Sequence, residues 1–286
     1  MSAARSRLLT ALLGAVTLVA AVLASGPTAD AVSTWAPEST ATIKPGVQMV
    51  TNGAQCTANF VFKDASGHVY VGYAAHCAGT GSSSDTNGCT TKSLPLGTKV
   101  EFVTGGNVLS GGTLVGTGRL AYSSWRTMQR IGAKGTALCA YNDLALVRVD
   151  PASVGKVNPT VPVWGGPSAI STTTLKAGAK IYTVGNSGLR SGSAASKTGQ
   201  VTGVVGGGLA YNLTTGNPGI PGDSGSGFMD ASGHPVGVLS TISVGLSLTP
   251  VSNTMGNVVK ELAFAKRHGG INGLYLVKGT RAFSAK

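Results

Sequence analysis

Acidic side chains are scarce in this sequence of 286 residues, where Asp and Glu number 10 against 22 Lys and Arg. Charged residues of both signs make up only 11% of the chain, which excludes a charge-rich disordered protein or a coiled coil. The formal net charge is +12, but the basic residues are scattered and are not interleaved with aromatic ones, as a nucleic-acid surface would require. We therefore predict a compact domain with no nucleic-acid partner.

Long apolar runs are absent after the N-terminus. Arg5 and Arg7 precede an apolar stretch from Leu8 to Ala24, and Ala29-Asp30-Ala31 then offers small residues for cleavage. This order is typical of a secretory signal peptide over residues 1–31; the alternative is a membrane anchor, for which the stretch is short. We predict a secreted, extracellular protein with no membrane association after cleavage.

Cysteine is also rare, but its number is even: Cys56, Cys77, Cys89 and Cys139. In an exported chain these residues predict two disulfide bonds, and the spacing leaves all three pairings open. A zinc site is the alternative, but close Cys/His pairs are missing apart from His76-Cys77. We predict neither a metal nor a cofactor.

Helical patterns are few, whereas 43 Gly and 12 Pro punctuate short runs rich in Val, Ile, Tyr, Phe and Thr. Many short strands without intervening helices predict an all-β barrel or sandwich. One helix is predicted late in the chain, where Met255, Val258 and Leu262 have helical spacing, Ser252 or Asn253 is expected to cap the start, and Gly269 follows the last turn. We expect His268 to lie on the surface at the end of that helix.

A pentapeptide occurs twice: Asp64-Ala65-Ser66-Gly67-His68 returns as Asp230-Ala231-Ser232-Gly233-His234. Both copies lie between apolar runs and predict hairpin turns. Two similar hairpins far apart fit a domain with two lobes, which we expect over about 51–150 and 175–286, joined by a linker near 151–174.

Histidine is as rare as cysteine, and only His76 closes an apolar strand, in Tyr73-Ala74-Ala75-His76-Cys77. It is the candidate general base, and the alternative is a core histidine beside a disulfide. Among the few carboxylates, Asp143 precedes the apolar run Leu144 to Val147, where it would be partly buried and would need a partner. A histidine N–H would satisfy Asp143; the alternative is an ordinary turn residue.

The segment Gly219-Ile220-Pro221-Gly222-Asp223-Ser224-Gly225-Ser226-Gly227 offers a candidate nucleophile. Glycines on both sides of Ser224 allow close approach of backbone to a substrate, and the amides of Gly222 and Ser224 can point at one oxygen. A Gly/Ser turn without chemistry is the alternative. Nucleophilic attack on an acyl carbon needs these three residue types together: hydroxyl, base and orienting acid.

Taken together, Ala-Ala-His-Cys, Asn-Asp-Leu-Ala-Leu and Gly-Asp-Ser-Gly resemble the chymotrypsin-like (trypsin-like) serine proteases, in the style of small secreted bacterial members. The resemblance runs from about Cys56 to Ser243. It implies that Ser224 is the nucleophile, His76 the general base and Asp143 the orienting carboxylate.

The same resemblance implies a fold and a set of supporting residues. The fold is two six-stranded antiparallel β-barrels over residues 51–286, with the site between them and a C-terminal α-helix. The amides of Gly222 and Ser224 would form the oxyanion hole. Cys56 would pair with Cys77 and, by elimination, Cys89 with Cys139.

Two features of the family are missing or changed. No Arg/Lys-Ile-Val-Gly-Gly activation sequence precedes the first strand, so Asp223 needs a partner other than a new N-terminus, and residues 32–50 are an N-terminal segment that would serve as a short pro-segment. The residues matched to the primary pocket, Pro218, Gly219 and Ser240, carry no charge, which predicts a pocket for uncharged side chains.

We therefore interpret the chain as a monomeric, secreted serine endopeptidase that acts on protein or peptide substrates. The main alternative is a catalytically silent relative that acts as an extracellular binding protein through its basic exterior. An α/β-hydrolase esterase is a weaker alternative, because its Gly-x-Ser-x-Gly elbow would need Gly where Ser226 stands.

Overall fold

The computed structural model describes residues 35–81, 86–190, 195–243 and 252–285. The predicted signal peptide lies outside these residues. Within them no helix is long and apolar enough to cross a membrane. The strands are β1 (Gln48–Thr51), β2 (Ala54–Thr57), β3 (Val61–Lys63), β4 (Val69–Ala74), β5 (Lys99–Thr104), β6 (Thr113–Ser123), β7 (Leu144–Val149), β8 (Lys180–Gly185), β9 (Ala195–Val205), β10 (Ala210–Thr215), β11 (Gly227–Asp230), β12 (Pro235–Ser243), β13 (Ser252–Asn257) and β14 (Tyr275–Leu276). The helices are α1 (Ser124–Arg130), α2 (Thr136–Tyr141), α3 (Pro151–Val154) and α4 (Val258–His268).

The first sheet contains eight strands in the order β14-β3-β4-β7-β6-β5-β1-β2, and every pairing in it is antiparallel. Its central strands β4 and β7 are buried along nearly their whole length, with Arg148 the exposed exception in β7. Large side chains such as Phe60, Phe62, Phe102 and Leu146 fill the core beneath it. This sheet carries the predicted base and acid at adjacent strand ends.

The second sheet is a closed barrel with the strand order β10-β13-β12-β11-β8-β9. Its interior is filled by a separate apolar cluster that includes Ile181, Tyr211, Leu213, Phe228 and Met255. The alternation of buried and exposed residues along β9 is the pattern of a strand with one face toward a core. The barrel carries the segment with Ser224 in the connection from β10 to β11.

The predicted all-β class with a C-terminal helix is confirmed. The barrel has the six strands that the resemblance implies, whereas the first sheet has eight because β2 and the late strand β14 add to its edges. The repeated pentapeptide forms the turns of two hairpins, β3–β4 and β11–β12, as predicted.

The start of the late helix was predicted wrongly. Ser252–Asn257 is strand β13, which pairs with β10 on one side and β12 on the other, so Met255 lies in a strand. The helix begins at Val258, and the Asn257 side chain caps it by accepting from the amides of Val259 and Lys260. Neither Ser252 nor Asn253 is the cap. The predicted end of the helix holds, because Gly269 follows it.

A hairpin near the start of the fold was missed, although its signal is in the sequence. Asn52 and Gly53 join β1 to β2 as a two-residue turn with φ of 49° and 86°, and Asn-Gly is the dipeptide that favours such a turn. The residues before it also belong to the core, since Ile43 and Val47 are buried.

Candidate functional site

His76 lies in a short 3-10 turn, Ala75–Ala78, that follows directly on β4. The disulfide Cys56–Cys77 ties this turn to β2, and the second disulfide, Cys89–Cys139, is also the one that the resemblance implies. The Trp125 ring lies with its centroid 6.4 Å from that of the imidazole. The His76 side chain is 26% exposed, so it is held in place while part of it still reaches the surface.

Asp143, at the start of β7, is nearly enclosed and accepts three hydrogen bonds. Its Oδ2 accepts from His76 Nδ1 at 2.7 Å and from Ser240 Oγ at 2.7 Å, and its Oδ1 accepts from the backbone N–H of His76 at 2.8 Å. Because β4 and β7 are hydrogen-bonded neighbours, the two strand ends bring residues together that lie 67 positions apart. The carboxylate holds the proton on Nδ1 and leaves Nε2 as the basic nitrogen.

The pKa of His76 lies above its ordinary value of 6.5. Burial lowers the pKa of the imidazole, but the negative charge of Asp143 and the hydrogen bond to it outweigh burial and raise it. The environment therefore favours the imidazolium that would form when His76 takes a proton.

Ser224 is half-buried in the tight turn that precedes β11, and backbone hydrogen bonds join this turn to β2 and β12. Its carbonyl accepts from the N–H of Thr57, next to Cys56, and the N–H of Gly225 donates to Leu239, which adjoins Ser240. Gly225 has φ of +89°, and a Cβ there would lie 2.8 Å from the backbone nitrogen of Ala74. Among the described residues, no hydrogen bond joins Ser224 Oγ to His76.

The N–H groups of Gly222 and Ser224 have no acceptor among the described residues. Each is held in place by hydrogen bonds to the carbonyl oxygen of the same peptide group. Ser187 Oγ donates to the carbonyl of Pro221 at 2.5 Å and so orients the peptide that carries the N–H of Gly222. Ser226 donates to the carbonyl of Asp223 through N–H and Oγ and so orients the peptide that carries the N–H of Ser224. Fixed, unused donors are what an oxyanion site requires.

Asp223 is fully buried, and its partners replace the missing N-terminal ammonium group. Lys197 Nζ lies 2.6 Å and Arg190 Nη2 2.9 Å from its Oδ2, while its Oδ1 accepts from the N–H of Ser187. Burial lowers the pKa of Lys197 and the negative charge of Asp223 only partly offsets this. Two cations from the β8–β9 region thus hold the turn of Gly222 and Ser224 from behind.

The residues predicted for the primary pocket have varied surroundings. Pro218 is half-buried and its carbonyl accepts from Arg190, whereas Gly219 exchanges hydrogen bonds with the Asn253 side chain. The Ser240 hydroxyl donates its hydrogen bond to Asp143. The sequence pattern did not predict that a guanidinium would lie at Pro218, because Arg190 is far from it in the chain.

A cleft of about 510 Å³ opens beside the turn of Gly222. Its walls come from the first sheet, from the segment after β8 and from the turn itself, with Gln55, Val103, Leu189, Pro221 and Gly222 among its lining residues. Gly222 lines this cleft, whereas His76 and Ser224 do not.

The alternative of a zinc site at His76-Cys77 is excluded because its potential ligands are already bonded. Potential ligand atoms of Cys56, His76 and Cys77 lie within 4.8 Å of one another, but the two sulfurs are joined in a disulfide and His76 Nδ1 is bonded to Asp143. Neither cysteine can therefore offer a thiolate.

Three supporting residues were missed by the sequence pattern: Lys197, Arg190 and Glu261. Glu261 Oε1 accepts from the backbone N–H of Asp143 at 2.8 Å. The one available signal was charge scarcity, since a chain with so few acidic residues places four of them, Asp64, Asp143, Asp223 and Glu261, in its interior.

Comparison by sequence finds no family model and no curated protein that matches the chain. Solved structures do match: Thermobifida fusca Protease A is 16% identical, with 83% of this chain and 99% of that chain covered and a TM-score of 0.49. Cellulomonas bogoriensis chymotrypsin is 18% identical (82% and 98% covered, TM-score 0.48), as is Nocardiopsis protease NAPase (82% and 98%, TM-score 0.45). These three proteins are what the chain is similar to in structure.

Proposed function

We propose that this protein is a serine endopeptidase that cleaves peptide bonds through Ser224, His76 and Asp143. The observation that carries the proposal is the enclosed Asp143 carboxylate, which accepts from both His76 Nδ1 and Ser240 Oγ at 2.7 Å. That arrangement fixes the tautomer a general base needs. Both partners are distant from Asp143 in the chain, by 67 and 97 positions.

In the first step, Ser224 Oγ attacks the carbonyl carbon of the scissile bond and His76 Nε2 takes the hydroxyl proton. The carbonyl oxygen becomes an oxyanion, which the N–H groups of Gly222 and Ser224 stabilise. Asp143 stays ionised and stabilises the imidazolium. The imidazolium then gives its proton to the departing amine, and the acyl group remains on Ser224.

In the second step, water attacks the ester carbonyl of the acyl-enzyme while His76 Nε2 accepts a proton from that water. The bond from the acyl carbon to Ser224 Oγ breaks, the proton on His76 returns to this oxygen, and the new carboxylic acid leaves. Metal and cofactor are not needed for either step.

The primary pocket is proposed to accept an uncharged side chain. Pro218 and Gly219 bring no charge, and the guanidinium of Arg190 at the carbonyl of Pro218 is paired with Asp223. A Lys or Arg substrate side chain would meet cations there without a counter-ion. The lining is therefore expected to disfavour basic residues most strongly.

We also propose that the protein is secreted and acts as a monomer on extracellular protein or peptide. Two disulfide bonds, unusual in reducing compartments, support export, as does the N-terminal signal pattern. The basic surface would favour acidic regions of a substrate without defining its cleavage site.

The proposal is tested by cleavage of a peptide library with the secreted protein, with Ser224→Ala and with Ser232→Ala. Ser232 is an exposed serine in the β11–β12 turn and serves as the matched control. Loss of the nucleophile should lower kcat by about 10⁶-fold, whereas the control should match the unchanged protein. Cleavage that survives in Ser224→Ala would contradict the proposal, and no cleavage by any form would favour the silent binding protein.

The same library tests the pocket. Cleavage mainly after uncharged residues supports the neutral lining, and cleavage mainly after Glu or Asp would show that Arg190 faces the substrate. Cleavage after Lys or Arg would contradict the proposed pocket while leaving the proposed reaction intact.

A further inference from the structure

Glu261 is a second carboxyl group directly behind Asp143, and the proposed reaction gives it no role. It lies in the first turn of α4 and is 2% exposed. Its Oε1 accepts from the N–H of Asp143, and at Gly256 of β13 a Cβ would lie 2.4 Å from that oxygen, so only glycine leaves room for it. The carboxyl is therefore wedged between the backbone of β13 and the turn that carries Asp143.

Nothing positive is bonded to this carboxyl. Among the described residues Glu261 forms no ion pair, and its Oε2 is buried without a hydrogen-bond partner. The Tyr122 hydroxyl from β6 is also buried and unpaired; burial raises its pKa well above the ordinary value, and a charge on Glu261 would raise the pKa further. The Asn142 side chain has no partner either.

A cavity of about 250 Å³ has Glu261 among its lining residues. Lys260, Arg267 and His268 line it together with Tyr141, and Lys260 Nζ is bonded to the carbonyl of Gly207. These are the charged and titratable groups that face Glu261 from α2 and α4, while Asp143 and Tyr122 face it from β7 and β6.

We propose that Glu261 is held as a neutral carboxylic acid and acts as a positioning residue for Asp143, whose backbone it fixes from behind. This inference rests on the proposed function for its kinetic consequence. A neutral acid accepts the Asp143 N–H through its carbonyl oxygen without adding a second negative charge to that of the Asp143 carboxylate. An ionised Glu261 would carry a large desolvation cost, and among the described residues no cation forms an ion pair with it.

Three features of its surroundings set the pKa of the Glu261 carboxyl. Burial raises the pKa of Glu261 well above its ordinary value, the hydrogen bond from Asp143 lowers it, and the charge of Asp143 raises it further. The folded protein therefore holds a proton that the unfolded chain releases above pH 4.5. The stability that this proton gives the folded protein is lost as pH rises. The free energy of unfolding of Glu261→Gln, relative to that of the unchanged protein, should therefore be higher at pH 8 than at pH 5.

The protonation state is measured by infrared spectroscopy at pH 7 in D₂O, as the difference between the unchanged protein and Glu261→Gln. The carbonyl stretch of a neutral carboxylic acid should appear in the unchanged protein and vanish in the variant. A difference spectrum that contains only carboxylate bands would overturn the proposal. Activity plays no part in this measurement.

The positioning role is measured with two substitutions of similar size. Glu261→Met removes the acceptor and should lower kcat about tenfold with little change in KM, because the turn with Asp143 loses its anchor. Glu261→Gln keeps a neutral acceptor and should recover most of that loss. Lys266→Gln, on the exposed face of the same helix, is the control and should change neither constant.

The proton between His76 and Asp143 gives a readout that a merely structural residue would not move. Its NMR resonance should shift in Glu261→Met and return toward the original position in Glu261→Gln. An unchanged resonance and unchanged kcat in a folded Glu261→Met protein would overturn the positioning role. If the unchanged protein cleaves no peptide, the proposed function fails, whereas the infrared and NMR measurements still decide the inference.

Discussion

Three His–Asp pairs in this molecule have nearly the same bond length, but their surroundings differ. Nδ1 lies 2.7 Å from Oδ2 in His76–Asp143, 2.8 Å in His68–Asp64 and 2.9 Å in His234–Asp230. The latter two are formed inside one turn of five residues, where Oδ1 also accepts two backbone N–H groups of that turn. His76 and Asp143 come from different strands and meet through the sheet.

The difference lies in what each carboxylate organises. Asp64 and Asp230 each close a hairpin with hydrogen bonds to their own turn, and Asp64 also accepts from the Tyr70 hydroxyl of β4 at 2.7 Å. Asp143 has 3% of its side chain exposed, accepts from Ser240 of the other sheet, and has Glu261 behind it. Bond length therefore does not identify a reactive pair, whereas long-range support and burial do.

Replacing the aspartate of a His–Asp pair by asparagine should have the most different effects on kcat in the two kinds of pair. Asp143→Asn should lower kcat by about 10⁴-fold with the fold intact, because an amide in this position favours the wrong tautomer of His76. Asp230→Asn should leave kcat unchanged. The measurement is steady-state hydrolysis of a peptide substrate at neutral pH, and near-normal turnover in Asp143→Asn would contradict the assignment.

The ion pairs extend the comparison from activity to stability. Lys197→Met leaves the buried Asp223 with Arg190 alone and should lower the free energy of unfolding by about 3 kcal/mol or more. Lys99→Met breaks the exposed pair with Glu101 and should cost about 0–1 kcal/mol. Denaturant unfolding of both variants measures the two costs, and equal losses would show that the buried cluster is not a special support.

The pH dependence of activity should follow the long-range pair. Because the pKa of His76 is raised above 6.5, the imidazolium persists to higher pH and kcat/KM should fall about tenfold per pH unit below that raised pKa. The ion pair with Asp143 stabilises the fold at acid pH and this stability is lost as pH rises through the same pKa.

A matched pair of variants assigns that titration. In His68→Gln and His234→Gln the acid limb of kcat/KM should keep its position, because neither turn touches the site. A limb that moves in either variant would mean that a histidine other than His76 controls activity.

The smallest effect is expected from the surface turns themselves. His234→Gln removes a half-exposed hydrogen bond to Asp230 and should lower the free energy of unfolding by about 0.5–1 kcal/mol. Thermal unfolding measures it. A loss as large as that of Lys197→Met would mean that the turn supports the barrel well beyond its own hairpin.

How far the sequence predicts the molecule depends on whether a signal is local. The apolar run Leu144 to Val147 is a local signal of a buried strand, and it lies in the observed strand β7. Ser252–Asn257 was missed because Ser-Asn-Thr-Met-Gly-Asn has no such run, and it is a strand only because β10 and β12 pair with it. Its one apolar side chain, Met255, therefore suggested the helix.

The residues of the candidate site also fall into those with a local sequence signal and those without one. His76, Asp143 and Ser224 stand in short segments whose residue types suggest their chemistry, so they could be predicted. Their supports could not be. Glu261 contacts Asp143 across 118 positions of the chain, and Lys197 contacts Asp223 across 26. The residues next to each of them in the sequence do not indicate which partner it will have. Such contacts exist only in the folded chain.

The most direct test of the account is covalent labelling of the secreted protein with a fluorophosphonate, followed by mass-spectrometric mapping of the adduct. The account predicts one phosphonyl group per molecule, on Ser224, that forms far more slowly in Asp143→Asn and at the usual rate in Asp230→Asn. An adduct on another serine, or labelling of Ser224 at an equal rate in all three proteins, would contradict it.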